Sequence, residues 1–275
     1  MAEFINMGKY RYDLSKHTLI MGILNVTPDS FSDGGKFNEL DHALIRATRM
    51  QEQGAHIIDV GGESTRPGHE PVTAEEELAR VVPIIRALQG ELNVPISVDT
   101  YKAEVAEQAV NAGASLINDV WGAKKDPQIA DVAAQHNVPL ILMHNRDNKD
   151  YHDLITDMKK DLESSIEIAI KAGVKSENII LDPGIGFAKS MEDNLVVMRH
   201  LDELTSLGFP ILLGTSRKSF IEYVLNLPVN ERMEGTGATV CLGIERGANI
   251  VRVHDVKEMA RMAKMMDAML GKGVR

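Results

Sequence analysis

Residues 178–184 read Asn-Ile-Ile-Leu-Asp-Pro-Gly, and this stretch decides the fold. The apolar run Ile179 to Leu181, two of its three residues β-branched, suits a strand covered on both faces, as the strands of a parallel sheet are. The run stops on Asp182, and Pro183-Gly184 turns the chain away. Working outward, the same grammar recurs seven more times. The other runs are LIMGIL before Asn25, HIIDVGG before Glu63, PISV before Asp99, SLI before Asn118, PLILM before His144, PILLGTS before Arg217-Lys218, and NIV before Arg252-x-His254. Segments with helical periodicity lie between them. A β-α alternation repeated eight times predicts an α/β chain folded as a single (β/α)8 TIM barrel, with the active site at the C-terminal ends of the strands.

Several element boundaries follow from capping and breaking residues. Thr73 with Glu76 three residues later predicts a capping box that opens a helix running to about Leu92. Asp41 is expected to cap a helix that ends near Gly54, and a continuous helix is expected from about Met191 to Gly208. Pro228 parts two helical pieces, KSFIEYVLN and TGATVCLGIERG. In the last helix, Met259, Met262, Met265, Met266 and Met269 fall at helical spacing and read as core packing or a subunit contact.

At 275 residues, with no linker or composition break, residues 1–275 are expected to form one domain, since such a barrel takes about 250 residues. Residues 1–17 precede the first run and are expected to cover the barrel bottom. The lone cysteine, Cys241, excludes an intramolecular bridge, reads as a small buried hydrophobe, and fits a reducing, cytoplasmic setting. The opening MAEFINMGKYRYD lacks the pattern of a secretory leader. No apolar run nears the ~20 residues of a membrane span, so no membrane partner is expected. A formal net charge of −10 argues against nucleic acid as a partner and makes any local basic cluster informative.

The residues that end the runs divide by chemistry. Asp99, Asn118 and Asp182 suit a flat heterocycle, because a carboxylate accepts two parallel hydrogen bonds from an N–C–N donor pair and an asparagine offers a donor and an acceptor. Arg66, Arg217, Lys218, Arg252 and His254 form a basic set after the second, seventh and eighth runs, where barrels often bind phosphate. Ser216-Arg217-Lys218-Ser219 at a helix start adds backbone N–H groups to that field. Loops PDSFSDGG and STRPGHEP are rich in Gly, Pro, Ser and Asp and are suited to closing over a substrate. Asn25, with Asp33 nearby, offers oxygen to a hard cation. Such sparse provision fits Mg2+, which keeps waters and takes phosphate oxygens, and does not fit structural zinc.

The stretches MGILNVTPDSFSDGG, DVGGESTRPG, SVDTYKAEVAEQA, INDVWG, MHN, LDPGIGFAKS, LLGTSRKSFI and IVRVHDV resemble those of the bacterial dihydropteroate synthase family, in order and over nearly the whole chain. That resemblance implies a transferase of folate biosynthesis. It would condense 6-hydroxymethyl-7,8-dihydropterin diphosphate with 4-aminobenzoate to give 7,8-dihydropteroate and diphosphate. It further implies that Asp99, Asn118, Asp182 and Lys218 hold the pterin, with Thr65 among the residues of the pterin and diphosphate site. Arg252 and His254 would take the diphosphate, with Mg2+ on Asn25. Phe31, Thr65, Pro67, Phe187, Lys218 and Ser219 would frame the aminobenzoate. Inhibition by sulfonamides, which mimic aminobenzoate, and a homodimer are implied as well.

The residues themselves agree on mechanism. No serine, cysteine or histidine has a partner that would activate it as a nucleophile, and none is needed when the substrate carries its own leaving group. Catalysis then reduces to positioning and electrostatics by Asp99, Asp182, Lys218, Arg252 and His254, with diphosphate leaving before the amine adds. The rival readings are a pterin-dependent methyltransferase of the same fold, a Schiff-base aldolase using Lys218, and a non-catalytic pterin-binding protein.

Overall fold

The computed structural model of the chain describes residues 3–26, 36–63 and 71–273. It opens on a hairpin, β1 (Phe4–Met7) and β2 (Tyr10–Asp13), paired antiparallel with Met7 opposite Tyr10. Eight parallel strands follow: β3 (Leu19–Asn25), β4 (Ile57–Gly61), β5 (Ile96–Asp99), β6 (Leu116–Asp119), β7 (Leu140–Met143), β8 (Ile179–Asp182), β9 (Leu212–Leu213) and β10 (Ile250–Val253). Their order is β8-β7-β6-β5-β4-β3-β10-β9, and a parallel bridge from Leu181 to Ile211 joins the two ends, so the sheet closes on itself. The expected parallel barrel is the fold.

Helices α1 (Lys36–Glu52), α2 (Ala74–Glu91), α3 (Ala103–Ala112), α4 (Gln128–His136), α5 (Leu154–Lys171), α6 (Met191–Arg199), α7 (Leu201–Thr205), α8 (Ser219–Leu225), α9 (Met233–Glu245) and α10 (Val256–Met269) wrap the sheet. The capping box opens α2 as the sequence predicts: Glu76 N donates to Thr73 Oγ1 at 3.2 Å and Thr73 N to Glu76 Oε2 at 3.1 Å.

Three expectations need correction. Helix α1 begins at Lys36, so Asp41 lies inside it; Phe37 and Leu40, three apart, already keep helical spacing ahead of it. The continuous helix from Met191 breaks at His200, whose backbone leaves the helical region (φ −115°, ψ 22°) before Leu201 and Leu204 turn inward to the core. Cys241 is half-buried rather than buried. Along α10, Met259 is buried, Met262 and Met266 are half-buried, and Met265 and Met269 are exposed.

Alternation along the strands sorts side chains into two cores. Outward-facing Ile58, Val60, Ile96, Val98, Ile117, Leu140, Leu142, Ile179, Leu181, Val251 and Val253 pack under the helices. Inward-facing Leu19, Met21, Ile57, Leu116, Ile141, Ile180, Leu212 and Ile250 fill the lower barrel together with Ile5, Met7 and Leu14 from the hairpin segment. Each fully buried apolar side chain of that plug contributes about 1.5–3 kcal/mol. The next inward positions up the same strands are Asp59, Asn118, Asp182 and Arg252. The sequence period of two therefore stacks a polar layer directly on an apolar one.

Candidate active site

The upper layer is built by register. Asn25 pairs across to Gly61, Gly61 to Asp99, and Asp99 to Asn118. Gly61 leaves a gap between polar neighbours: a Cβ there would lie 3.8 Å from Asn25 Oδ1 and 3.7 Å from Asp99 Oδ2. From β10, Arg252 Nε donates to Asp59 Oδ2 at 2.6 Å, and its Nη2 donates to Asp99 Oδ2 at 2.6 Å. Asn118 Nδ2 donates to the same Asp59 oxygen at 3.2 Å. Asp59 Oδ1 and Asp99 Oδ1 are buried with no hydrogen-bond partner among the described residues, an expensive state unless a ligand supplies donors.

Across the mouth, Asp182 and Lys218 face Arg252 around a second gap at Gly214. A Cβ on Gly214 would meet Asp182 Oδ2, Lys218 Nζ and Arg252 Cβ, each at 3.9 Å. Lys218 also donates to Ile185 O and stands 4.8 Å over the Phe187 ring. Ser219 opens α8 just beyond it. Next to β10, His254 N donates to Ser216 Oγ at 3.1 Å, and the same hydroxyl shares a hydrogen bond with His254 Nδ1 at 2.9 Å.

Low local dielectric sets the protonation states. Burial pushes Asp99 up to about 7 despite Arg252 alongside. Asp182 is raised by burial, with Lys218 opposing. Burial brings Lys218 down to about 8, against the pull of Asp182. Burial also opposes the charge on Arg252, but Asp59 and Asp99 overcome it and its pKa rises. His254 falls to about 3 through burial and the nearby Arg252 and Arg217, so its imidazole is neutral.

Asn25, Asp99, Asn118, Asp182, Arg252 and His254 stand at strand ends on one rim, and Lys218, from the turn that leads into α8, joins them with Phe187 and Ser219 beside it. Arg217 is drawn aside: it adopts a left-handed backbone (φ 59°) and grips Asp255 with Nε at 3.0 Å and Nη2 at 2.5 Å. Phe31, Asp33, Thr65, Arg66 and Pro67 lie outside the described residues. The acidic and basic sets do not occupy separate places, because Arg252 bridges two acids. Sequence reasoning missed Asp59 by taking Glu63 as the end of the second run; Glu63 instead pairs with Lys102. The signal was a carboxylate two residues after Ile57, on the inward face.

A closed parallel barrel whose rim gathers carboxylates, an ammonium and a guanidinium around open positions belongs to the barrel enzymes that hold a polar, charged ligand at the strand ends. Residues 21–254 match the family of pterin binding enzymes. Over 256 residues the chain is 66% identical to the dihydropteroate synthase of Bacillus subtilis, covering 93% of this chain and 90% of the relative. A crystal structure of dihydropteroate synthase from Clostridium difficile in the presence of pteroic acid has a TM-score of 0.92 and 54% identity, covering 94% of this chain and 98% of the other. That of Yersinia pestis with a sulfonamide drug has a TM-score of 0.90 and 42% identity, covering 98% and 99%. The chain belongs to the pterin-binding enzymes and, within them, to the dihydropteroate synthase family, whose members are transferases. No helix among the described residues is long and apolar enough to cross a membrane.

Proposed function

We propose that the chain joins 6-hydroxymethyl-7,8-dihydropterin diphosphate to 4-aminobenzoate, releasing diphosphate and 7,8-dihydropteroate, as one pterin-binding domain floored by its amino-terminal hairpin. The observation that carries this reading is the gap at Gly214, flanked at 3.9 Å by the Asp182 carboxylate, the Lys218 ammonium and the Cβ of Arg252. Pteroic acid, in whose presence the C. difficile structure was determined, is a pterin linked through a methylene to 4-aminobenzoate. It is thus the oxidised form of the product written here.

In this reading Asp99, Asn118 and Asp182 take the ring's donor and acceptor edge, and the unpaired Asp99 oxygen gains a partner. Lys218 contacts the pterin and, with Phe187, Ser219, Phe31, Thr65 and Pro67, frames the aminobenzoate; Thr65 also lies on the diphosphate side. The bond from the methylene carbon to diphosphate breaks, and its electron pair leaves on the diphosphate. The electron-rich ring shares the positive charge left behind, near the carboxylates of Asp99 and Asp182. The neutral aniline nitrogen then adds to the carbon and gives up a proton to the departed diphosphate. Arg252 supplies fixed positive charge to the departing group, whereas His254, being neutral, supplies an N–H.

For a cation, Asn25 Oδ1 offers one oxygen beside Asp99, and the described residues contain no group of three or more His, Cys, Asp or Glu able to hold a metal. That donor set fits Mg2+, which relies on water and substrate phosphate for most of its ligands. When bound, Mg2+ would neutralise charge on the diphosphate. A homodimer is supported by large apolar side chains left exposed on α8 and α10, Tyr223, Val224, Met265 and Met269 among them; sedimentation of the pure protein tests it.

Titration calorimetry with pterin diphosphate on Asp182→Ala and Lys218→Ala, with chromatographic detection of dihydropteroate, tests the assignment. Both variants should lose binding and turnover. Wild-type affinity in both would break it.

A further inference from the structure

His144 and Lys189 belong to motifs singled out in the sequence, yet the mechanism above does not use them. Inward-facing positions on β7 are Ile141 and Met143, so His144 falls on the outer side of the barrel wall, fully buried towards α5. Lys189 is only 3% exposed. Its Nζ lies 2.9 Å from His144 Nδ1 and donates to Gly184 O at 3.1 Å and to Phe187 O at 3.0 Å. An ammonium has three donors, so this set is complete. With Nδ1 accepting from Lys189, His144 carries its proton on Nε2 and donates to Asp161 Oδ2 at 3.0 Å. Arg146 Nε donates to that same oxygen at 2.5 Å. Burial holds His144 down at about 4, in keeping with a neutral ring.

This polar chain ends on a loop whose backbone is strained. Gly184, Gly186 and Ala188 have φ of 65°, 86° and 47°, and for alanine that region is costly. A Cβ on Gly184 would come within 2.0 Å of His144 O, so the loop is pressed against the end of β7. One buried ammonium draws two of its carbonyls to a single point. The crest of the same loop presents Ile185 O and the Phe187 ring to Lys218.

We propose that Lys189 is a positioning residue for the condensation: by gathering the carbonyls of Gly184 and Phe187 it holds the loop that sets Phe187 and Lys218 on the aminobenzoate side of the site. The inference rests on the functional reading above and deepens it. The groups facing Lys189 are Asp182, Asp193 and Asp161, which favour its charge, and Lys218, which opposes it; His144 contacts it directly. Burial outweighs the acids and brings it down to about 7. Its third donor is therefore lost within the ordinary assay range.

The test measures kcat and KM for 4-aminobenzoate at saturating pterin diphosphate, from about pH 6 to about pH 8.5, in wild type, Lys189→Met and Lys189→Arg. Loss of a buried charge-assisted contact predicts a KM raised about ten-fold or more in K189M, a smaller rise in the pterin diphosphate Kd because Lys218 also contacts the pterin, and kcat changed least. Wild-type KM rises with pH around a midpoint near that of Lys189. K189R, charged throughout, keeps a low KM and loses the part of the profile that belongs to Lys189, retaining only what Lys218 and Asp99 contribute in this range. A wild-type KM that is flat across this range overturns the proposal, even if K189M does not fold. A cooperatively melting K189M with unchanged KM overturns it too, and leaves the functional reading standing as long as wild type makes dihydropteroate. A wild type that makes none overturns both.

Discussion

Asp59→Asn isolates the residue on which the polar layer turns. Asp59 is fully buried, and its Oδ2 accepts from Arg252 Nε at 2.6 Å and from Asn118 Nδ2 at 3.2 Å. Removing one partner of a buried ion pair costs about 3–5 kcal/mol, because the other charge is left uncompensated. Here Asp99 stays 2.6 Å from Arg252 Nη2, and the new amide oxygen can still accept one hydrogen bond, so the loss belongs at the lower end, about 3 kcal/mol. That is roughly a hundred-fold in the unfolding equilibrium. Urea denaturation followed by circular dichroism at neutral pH reads it directly, provided the slope with denaturant is unchanged. Binding of pterin diphosphate should weaken as well, since Arg252 loses the contact that fixes its Nε. A second effect follows from electrostatics. Asp59 helps to raise Asp99, after the larger effect of burial, so the titration near 7 should move downwards in the variant. A D59N protein within about 0.5 kcal/mol of wild type, the range of an ordinary surface change, would refute the view that Asp59 holds this layer together.

Gly214→Ala places a methyl where three charged residues each stand 3.9 Å away, an ordinary packing distance, so melting should barely change while pterin diphosphate affinity falls about ten-fold or more by calorimetry; unchanged affinity would mean that the ligand does not lie there. Met7→Ala, at the opposite end, should cost about 2–5 kcal/mol in urea denaturation and leave the pterin diphosphate Kd unaltered. His254, depressed to about 3 from 6.5, stays neutral in the fold while the unfolded chain takes up protons below 6.5. Its contribution to stability is complete above that value and declines as pH falls toward 3. His254→Asn should therefore flatten part of the acid slope in urea midpoints taken at successively lower pH; an unchanged slope would contradict the buried, neutral imidazole.

The barrel was legible because its strands are buried on both faces and so read as unbroken apolar runs, each closed by a polar residue. The same runs gave Asp99, Asn118, Asp182 and Arg252, since a strand end in this fold is also a rim position. What stayed hidden depends on contacts between segments far apart in sequence. Asp59 passed unremarked inside its run because nothing local says that Arg252 waits 193 positions away to pair with it. Lys189 drew no role from its motif, because its burial is created by His144 and two backbone carbonyls. The break at His200 was masked by apolar residues on either side that keep a helical spacing. Arg217 shows the converse: its type and position suited an anion site, but Asp255 claims it.

The two storeys inside the barrel do different physical work. The hairpin plug and its ring of aliphatic side chains act through cohesion alone, while the charged tier above works by leaving carboxylate oxygens unsatisfied. Sites that share no partners contribute additively to stability. A lineage that changes its mouth to refuse an inhibitor, and loses robustness in doing so, therefore has a remote reservoir in which to recover it: a tighter floor restores the fold without touching what the rim admits.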